Sequence, residues 1–143
     1  RHPSLHRIDW QYLTIVPFCS FLGAQKIIAD MTFNSKIKQL RIRLNKIVGP
    51  LQQSILQSAS RLTRPGGKII YITCSLLAQE NENQINKFIK NNKDFDLCDI
   101  SEIWQDTFKT PLNSKGKTLR ILPNNFDSDG FFIAVITRKY HQI

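Results

Sequence analysis

Apolar residues recur at Leu51, Ile55, Ala59 and Leu62, at spacings of four, four and three. That is one stripe of an α-helix over residues 51–62. Pro50 suits its first turn, and Pro65-Gly66-Gly67 is the turn expected to stop it. The run KIIYITC, residues 68–74, then reads as a buried strand. Ile85, Phe88 and Ile89 give a second helical stripe, with Glu80 and Glu82 near its start, where negative charge is favoured. Residues 94–100 predict a short edge strand, 119–123 another short strand, and 131–140 a long final one. Residues 110–118 and 124–130 read as loop and turn. Helix, turn and buried strand in succession are the α/β arrangement of an open sheet.

The first 49 residues are less regular. Residues 12–31 are largely apolar and interrupted by Pro17. Residues 34–49 alternate basic and apolar positions. Lys36-Ile37-Lys38 and Arg41-Ile42-Arg43-Leu44 would suit a strand with a basic face, whereas Ile37, Leu40, Leu44 and Ile47 fit a helical stripe. The length of the segment favours helix. No internal repeat or low-complexity stretch interrupts the 143 residues, which suffice for one domain with a core.

Charge changes this picture more than composition does. The formal net charge is +9, and the first 49 residues hold eight Lys and Arg against Asp9 and Asp30. Such a balance favours a polyanionic partner such as RNA, with Arg1, Lys36, Lys38, Arg41, Arg43 and Lys46 as the candidate phosphate contacts. A solvated helix face explains the same charges. Cys19, Cys74 and Cys98 are odd in number and include no CxxC pair, which argues against a disulfide framework and a zinc site and for thiols in a reducing compartment. No metal ligand set is expected. The residues 1–11 lack the apolar core of a signal peptide, and no run approaches a membrane span. A chain that begins with Arg reads as a fragment.

Cys74 closes a strand, and ligand sites of open α/β sheets lie beyond the carboxyl ends of strands. A free cysteine is more often a small buried hydrophobe than a nucleophile. The surrounding residues favour chemistry. RPGGKIIYITCSLLAQENE, residues 64–82, resembles the signature of the Sun/Fmu-type family of RNA cytosine-5 methyltransferases. There a helix leads into Pro-Gly-Gly, a strand, Thr-Cys-Ser, and a helix opened by Glu-Asn-Glu. LRILPNNFDSDGFFIAVITR, residues 119–138, is similar to the family's C-terminal motif. RHP at residues 1–3 is a weaker match.

The resemblance, strong over residues 51–138, implies an α/β fold: the C-terminal portion of a Rossmann-like class I methyltransferase sheet, its last strand antiparallel. It divides the chain into a poorly matched basic segment, 1–49, and the C-terminal part of a catalytic domain, 50–143. It implies S-adenosylmethionine-dependent methylation of cytosine carbon 5 in ribosomal or transfer RNA, in the cytoplasm, with Cys74 as the nucleophile. Thr73 and Ser75 would shape its turn, and Glu80 and Glu82 would cap the helix. Asp129 and Gly130 would set the turn before the last strand. Phe131 and Phe132 would be core, or an aromatic stacking on a base. The family's Gly-rich cofactor loop has no counterpart among the six glycines. Its second cysteine, in a Pro-Cys motif, is expected upstream of Arg1, in a missing N-terminal half. Cys19, in VPFCSF, follows RHP and is separated from Pro17 by Phe18, so it reads as a buried thiol, as does Cys98. The alternative is a non-catalytic, basic RNA-binding remnant. A thiol hydrolase using His2, His6 or His141 has no motif to support it.

Overall fold

The computed structural model describes residues 10–15, 35–75, 77–108, 112, 116–121 and 130–141. In chain order these form β1 (Trp10–Ile15), α1 (Ser35–Leu62), β2 (Thr63–Thr73), α2 (Glu82–Asn91), β3 (Phe95–Leu97), α3 (Ile100–Phe108), β4 (Leu119–Ile121) and β5 (Phe131–Arg138). The sheet order is β1-β2-β5-β3, with β4 also on β5. β1 and β2 are parallel, as a strand–helix–strand unit requires, and β5 is antiparallel to β2, β3 and β4. β3 pairs with residues 136–138 of β5 and β4 with 131–133, so the two lie end to end along one edge. The antiparallel last strand, the edge strand β3 and the terminal β4–β5 pair all agree with the sequence reading.

Three features differ from it. β1 and α3 carried no element in the sequence reading. The helix preferred for residues 34–49 does not end before Pro50. α1 runs through that point, with Pro50 in its interior although proline has no N–H for the carbonyl four residues back. Finally, Pro65-Gly66-Gly67 belongs to β2 and does not precede it. Trp10 pairs with Thr63 and Tyr12 with Lys68, so β2 bulges over these residues. Gly66 makes the bulge possible: its φ is +76°, and a Cβ there would lie 2.2 Å from the Tyr140 ring.

The core has two layers on opposite faces of the sheet. Leu56 and Ala59 of α1 and Ile85 and Phe88 of α2 cover Ile69, Tyr71, Phe132, Ala134 and Ile136. Tyr71 meets Phe132, and Phe88 meets Phe95, edge to face. The alternate β-sheet residues Ile70, Ile133 and Val135 lie under Ile100, Ile103 and Trp104 of α3. Among the described side chains of α1 the buried ones are Val48, Gln52, Leu56, Ala59 and Ser60, so of the expected stripe only Ala59 is buried. Leu51 is 45% exposed, Leu62 47% and Ile47 69%. This brings Gln52, a polar residue, inside, where it has a bonding partner.

Candidate active site around Cys74

β2 delivers its last residue, Thr73, to the carboxyl end of the sheet, and Cys74 forms the bend that follows. Thr73 and Ser75 are fully buried, while Cys74 between them is half-buried and carries no disulfide. The turn after β2 folds back on itself. Thr73 Oγ1 donates to Asn81 Oδ1 and accepts the Ser75 N–H at 3.3 Å. Asn81 Nδ2 donates to the Ser75 carbonyl at 2.7 Å. Ser75 Oγ donates to Glu80 Oε2 at 2.5 Å and accepts the Leu77 N–H at 3.1 Å. Gln52 Nε2, from α1, donates to Glu80 Oε1 at 3.2 Å, and the Tyr71 hydroxyl donates to the Glu80 carbonyl at 2.6 Å. Each of these buried polar groups would destabilise the fold if left unbonded.

The sequence reading placed Thr73 and Ser75 in this turn but gave Glu80 and Glu82 one shared role. The structure separates them. Glu82 opens α2 and pairs with Arg120 of β4 at 2.5 Å. Glu80 lies ahead of the helix, buried, and bonds inward. Gln52 and Asn81 were missed. Nothing local marks a polar residue as buried when its partner lies 28 positions away, as Gln52's does.

The register continues this geometry across the sheet. Thr73 pairs with Phe132, and Phe132 with Arg120, whose guanidinium lies 5.8 Å from the Phe132 ring. The β2–β5 ladder ends there, with Cys74 and Phe131 the residues just beyond the Thr73–Phe132 pair on the two strands. Phe132 is core, as expected, whereas Phe131 is 38% exposed at the sheet end, which corrects its core assignment. Gly130, with φ of +89°, turns the chain into β5, and Asp129 lies outside the described residues.

Among the candidate phosphate contacts, Arg1 lies outside the described residues, and Lys36, Lys38, Arg41 and Arg43 are positions of α1. Lys46 is exposed and, with Lys87, flanks a pocket of about 400 Å³ whose floor includes Glu80 and Gln84. Cys19, His2 and His6 lie outside the described residues. His141 follows β5 near Lys93 and Lys139, at the end of the sheet where β2 begins, and is not brought to Cys74. Cys98 packs against the α3 layer, and burial pushes its thiol up from the ordinary value of 9.0, the reverse of activation. Among the described residues no group of His, Cys, Asp and Glu could hold a metal, and no helix is long and apolar enough to cross a membrane.

A family model described as 16S rRNA methyltransferase RsmB/F matches residues 19–137. The chain is 37% identical over 132 residues to a probable ribosomal RNA small subunit methyltransferase B of Synechocystis sp., covering 92% of this chain and 28% of that protein. It is 33% identical over 121 residues to the corresponding Bacillus subtilis protein, covering 85% and 26%. The chain thus spans about a quarter of these relatives' length. Among solved structures it resembles a methyltransferase homolog protein from Pyrococcus horikoshii (23% identity, TM-score 0.59, 93% of this chain and 40% of that one). It also resembles NSun6 from Pyrococcus horikoshii with SFG (27% identity, TM-score 0.54, 67% and 23%).

Proposed function

Because the chain belongs to the 16S rRNA methyltransferase RsmB/F family, we propose that Cys74 is the nucleophile for cytosine carbon-5 methylation in small-subunit ribosomal RNA. The observation that carries this is the half-buried thiol at the carboxyl end of β2, between two fully buried neighbours. Carbon 5 of cytosine is a poor nucleophile. When the Cys74 thiolate adds to carbon 6, a C–S bond forms as the C5=C6 π bond breaks and carbon 5 becomes enamine-like. Once carbon 5 is methylated, loss of its proton restores the double bond and expels the thiolate, so one difficult step divides into two easier ones. Phe131, exposed beside Phe132 at the end of β5, would stack on the base. Lys46 and its neighbours on α1 would hold RNA phosphates. A ribosomal RNA substrate would suit a cytoplasmic protein.

Family members use S-adenosylmethionine, which supplies the methyl group when bound. The described residues of this chain do not fit it. Gly66 sits in the β2 bulge beneath Tyr140, Gly116 and Gly130 serve the approaches to β4 and β5, and none lies in a strand-to-helix turn such as the family's Gly-rich cofactor loop. The donor site therefore belongs to sequence outside these residues, such as the three quarters of the relatives that this chain does not span.

The second thiol of the family's chemistry, which helps release product, is Cys19 in this proposal. That reverses the expectation from its flanking residues. Two observations support it: the family match begins at Cys19, and β1, which ends four residues earlier, lies parallel beside β2. Both cysteines then follow the carboxyl ends of adjacent strands.

The test grafts this chain onto the remainder of the Synechocystis relative and presents ribosomal RNA and S-adenosylmethionine. Covalent protein–RNA complex is read on a denaturing gel. Cys74→Ala is expected to form none, and Cys19→Ala to accumulate it. Adduct formation by Cys74→Ala would overturn the assignment, and equal, low adduct in Cys19→Ala and the unsubstituted chimera would overturn the role of Cys19.

A further inference from the structure

Both residues that flank Cys74 are held, and by the same adjacent pair of side chains. Asn81 takes Thr73 by its hydroxyl and Ser75 by its carbonyl. Glu80 takes Ser75 by its hydroxyl, at 2.5 Å, and is itself fixed through its second oxygen by Gln52 of α1. Its main-chain carbonyl is tied to Tyr71 of β2. All of these groups are fully buried. A helix cap needs none of this. Asn81, which precedes α2, makes no side-chain capping bond to it. The pair is spent on the turn instead of on the helix.

We propose that Glu80 and Asn81 are positioning residues that hold the Thr73-Cys74-Ser75 turn in one pose, acting through Ser75 and Thr73. The inference rests on the reading of Cys74 as the reactive group. Its physical basis is that a bend after a strand has no ladder to fix it, so its side-chain bonds set how long it stays in place. Glu80 contributes through both side-chain oxygens, one accepting from Ser75 and the other from Gln52, and a buried donor left without either would be destabilising. The linkage to Gln52 also registers the turn against α1, so the thiol's direction is set relative to the helix as well as the sheet.

The test is the rate of iodoacetamide alkylation at Cys74, read by peptide mass spectrometry on the full 143-residue chain, with Cys98 in the same molecule as the internal reference. Ser75→Ala removes the bond to Glu80 with little change of shape. It is expected to raise the Cys74 rate about tenfold, the size set by one lost charge-assisted bond, and to leave Cys98 unchanged. Glu80→Ala should do the same, and the double variant should fall short of the product of the two single effects, because both remove the Ser75–Glu80 bond, while Ser75→Ala alone also loses the Leu77 N–H and Glu80→Ala alone also frees Gln52. Glu80→Gln, which keeps an acceptor for Ser75 once Gln52 rotates its amide, should restore a rate close to the unsubstituted one. Should Glu80→Ala fail to fold, Ser75→Ala and Glu80→Gln decide the matter. An unchanged Cys74 rate in Ser75→Ala, or a rise at Cys98 by the same factor, overturns the proposal, the second because it shows general loosening. Alkylation reads the turn whether or not Cys74 attacks a base, so this result and the adduct test fail independently.

Discussion

Cys74 and Cys98 show how environment divides two residues of one type. Cys74 occupies a bend at the end of a central strand, and Cys98 packs under α3 with its N–H donating to the Val135 carbonyl at 2.8 Å. Desolvation is the largest influence on Cys98 and raises its pKa, with Lys68 opposing. The folded chain therefore holds the Cys98 proton more tightly than the unfolded chain does. The stability this gives is complete below the ordinary thiol value of 9.0 and is lost as pH rises through the folded value. Two outcomes are expected. At pH 8 Cys98 alkylates more slowly than Cys74, and above about pH 9 the melting temperature of Cys98→Ala falls less steeply than that of the parent. Faster alkylation at Cys98 would show that desolvation does not hold its thiol back. The thiol at the strand end was legible from Thr-Cys-Ser and its flanking motif. The clamp was not, because a buried Glu80 and an exposed one read alike in sequence.

At the scale of elements, α1 carries the main correction. A stripe at 51, 55, 59 and 62 and one at 48, 52, 56 and 59 lie on neighbouring helical rows, and apolar counting prefers the first. Burial chose the second, because Gln52 finds Glu80 inside and Leu56 finds the sheet. The consequence is measurable. Leu56→Ala should cost about 2–5 kcal/mol of stability by denaturant titration, whereas Leu51→Ala should change it by about 0.5 kcal/mol or less. Equal losses at the two positions would restore the first stripe. α2 was readable because Ile85 and Phe88 are apolar, buried and unopposed by any competing row. β1 was not readable, since WQYLTI lacks alternation and its strand character comes from pairing with β2. β3 and β4, three residues each, are set by the β5 edge they share.

At the scale of the molecule, the sheet brings β1 and β2 to a common carboxyl end and closes the other side with antiparallel β5. That places Cys74 and Phe131 at one rim, and puts His141 at the other. The sequence motifs carried the fold class because they are local runs: a strand with its turn, and a strand with its glycine entry. They carried less of residues 1–49, where the order of strands, and not any one run, defines the architecture. In the proposed reading this chain contributes the nucleophile's side of a methyl transfer, and that role depends on a donor site the described residues do not form. The most direct test is the transfer of labelled methyl from S-adenosylmethionine to small-subunit ribosomal RNA. The enzyme is the Synechocystis relative carrying this chain in place of its own matching segment. The expected result is labelled 5-methylcytosine with Cys74 and background with Cys74→Ala, both proteins folded to the same melting temperature. Undiminished transfer by Cys74→Ala would contradict the assignment of Cys74 as the nucleophile.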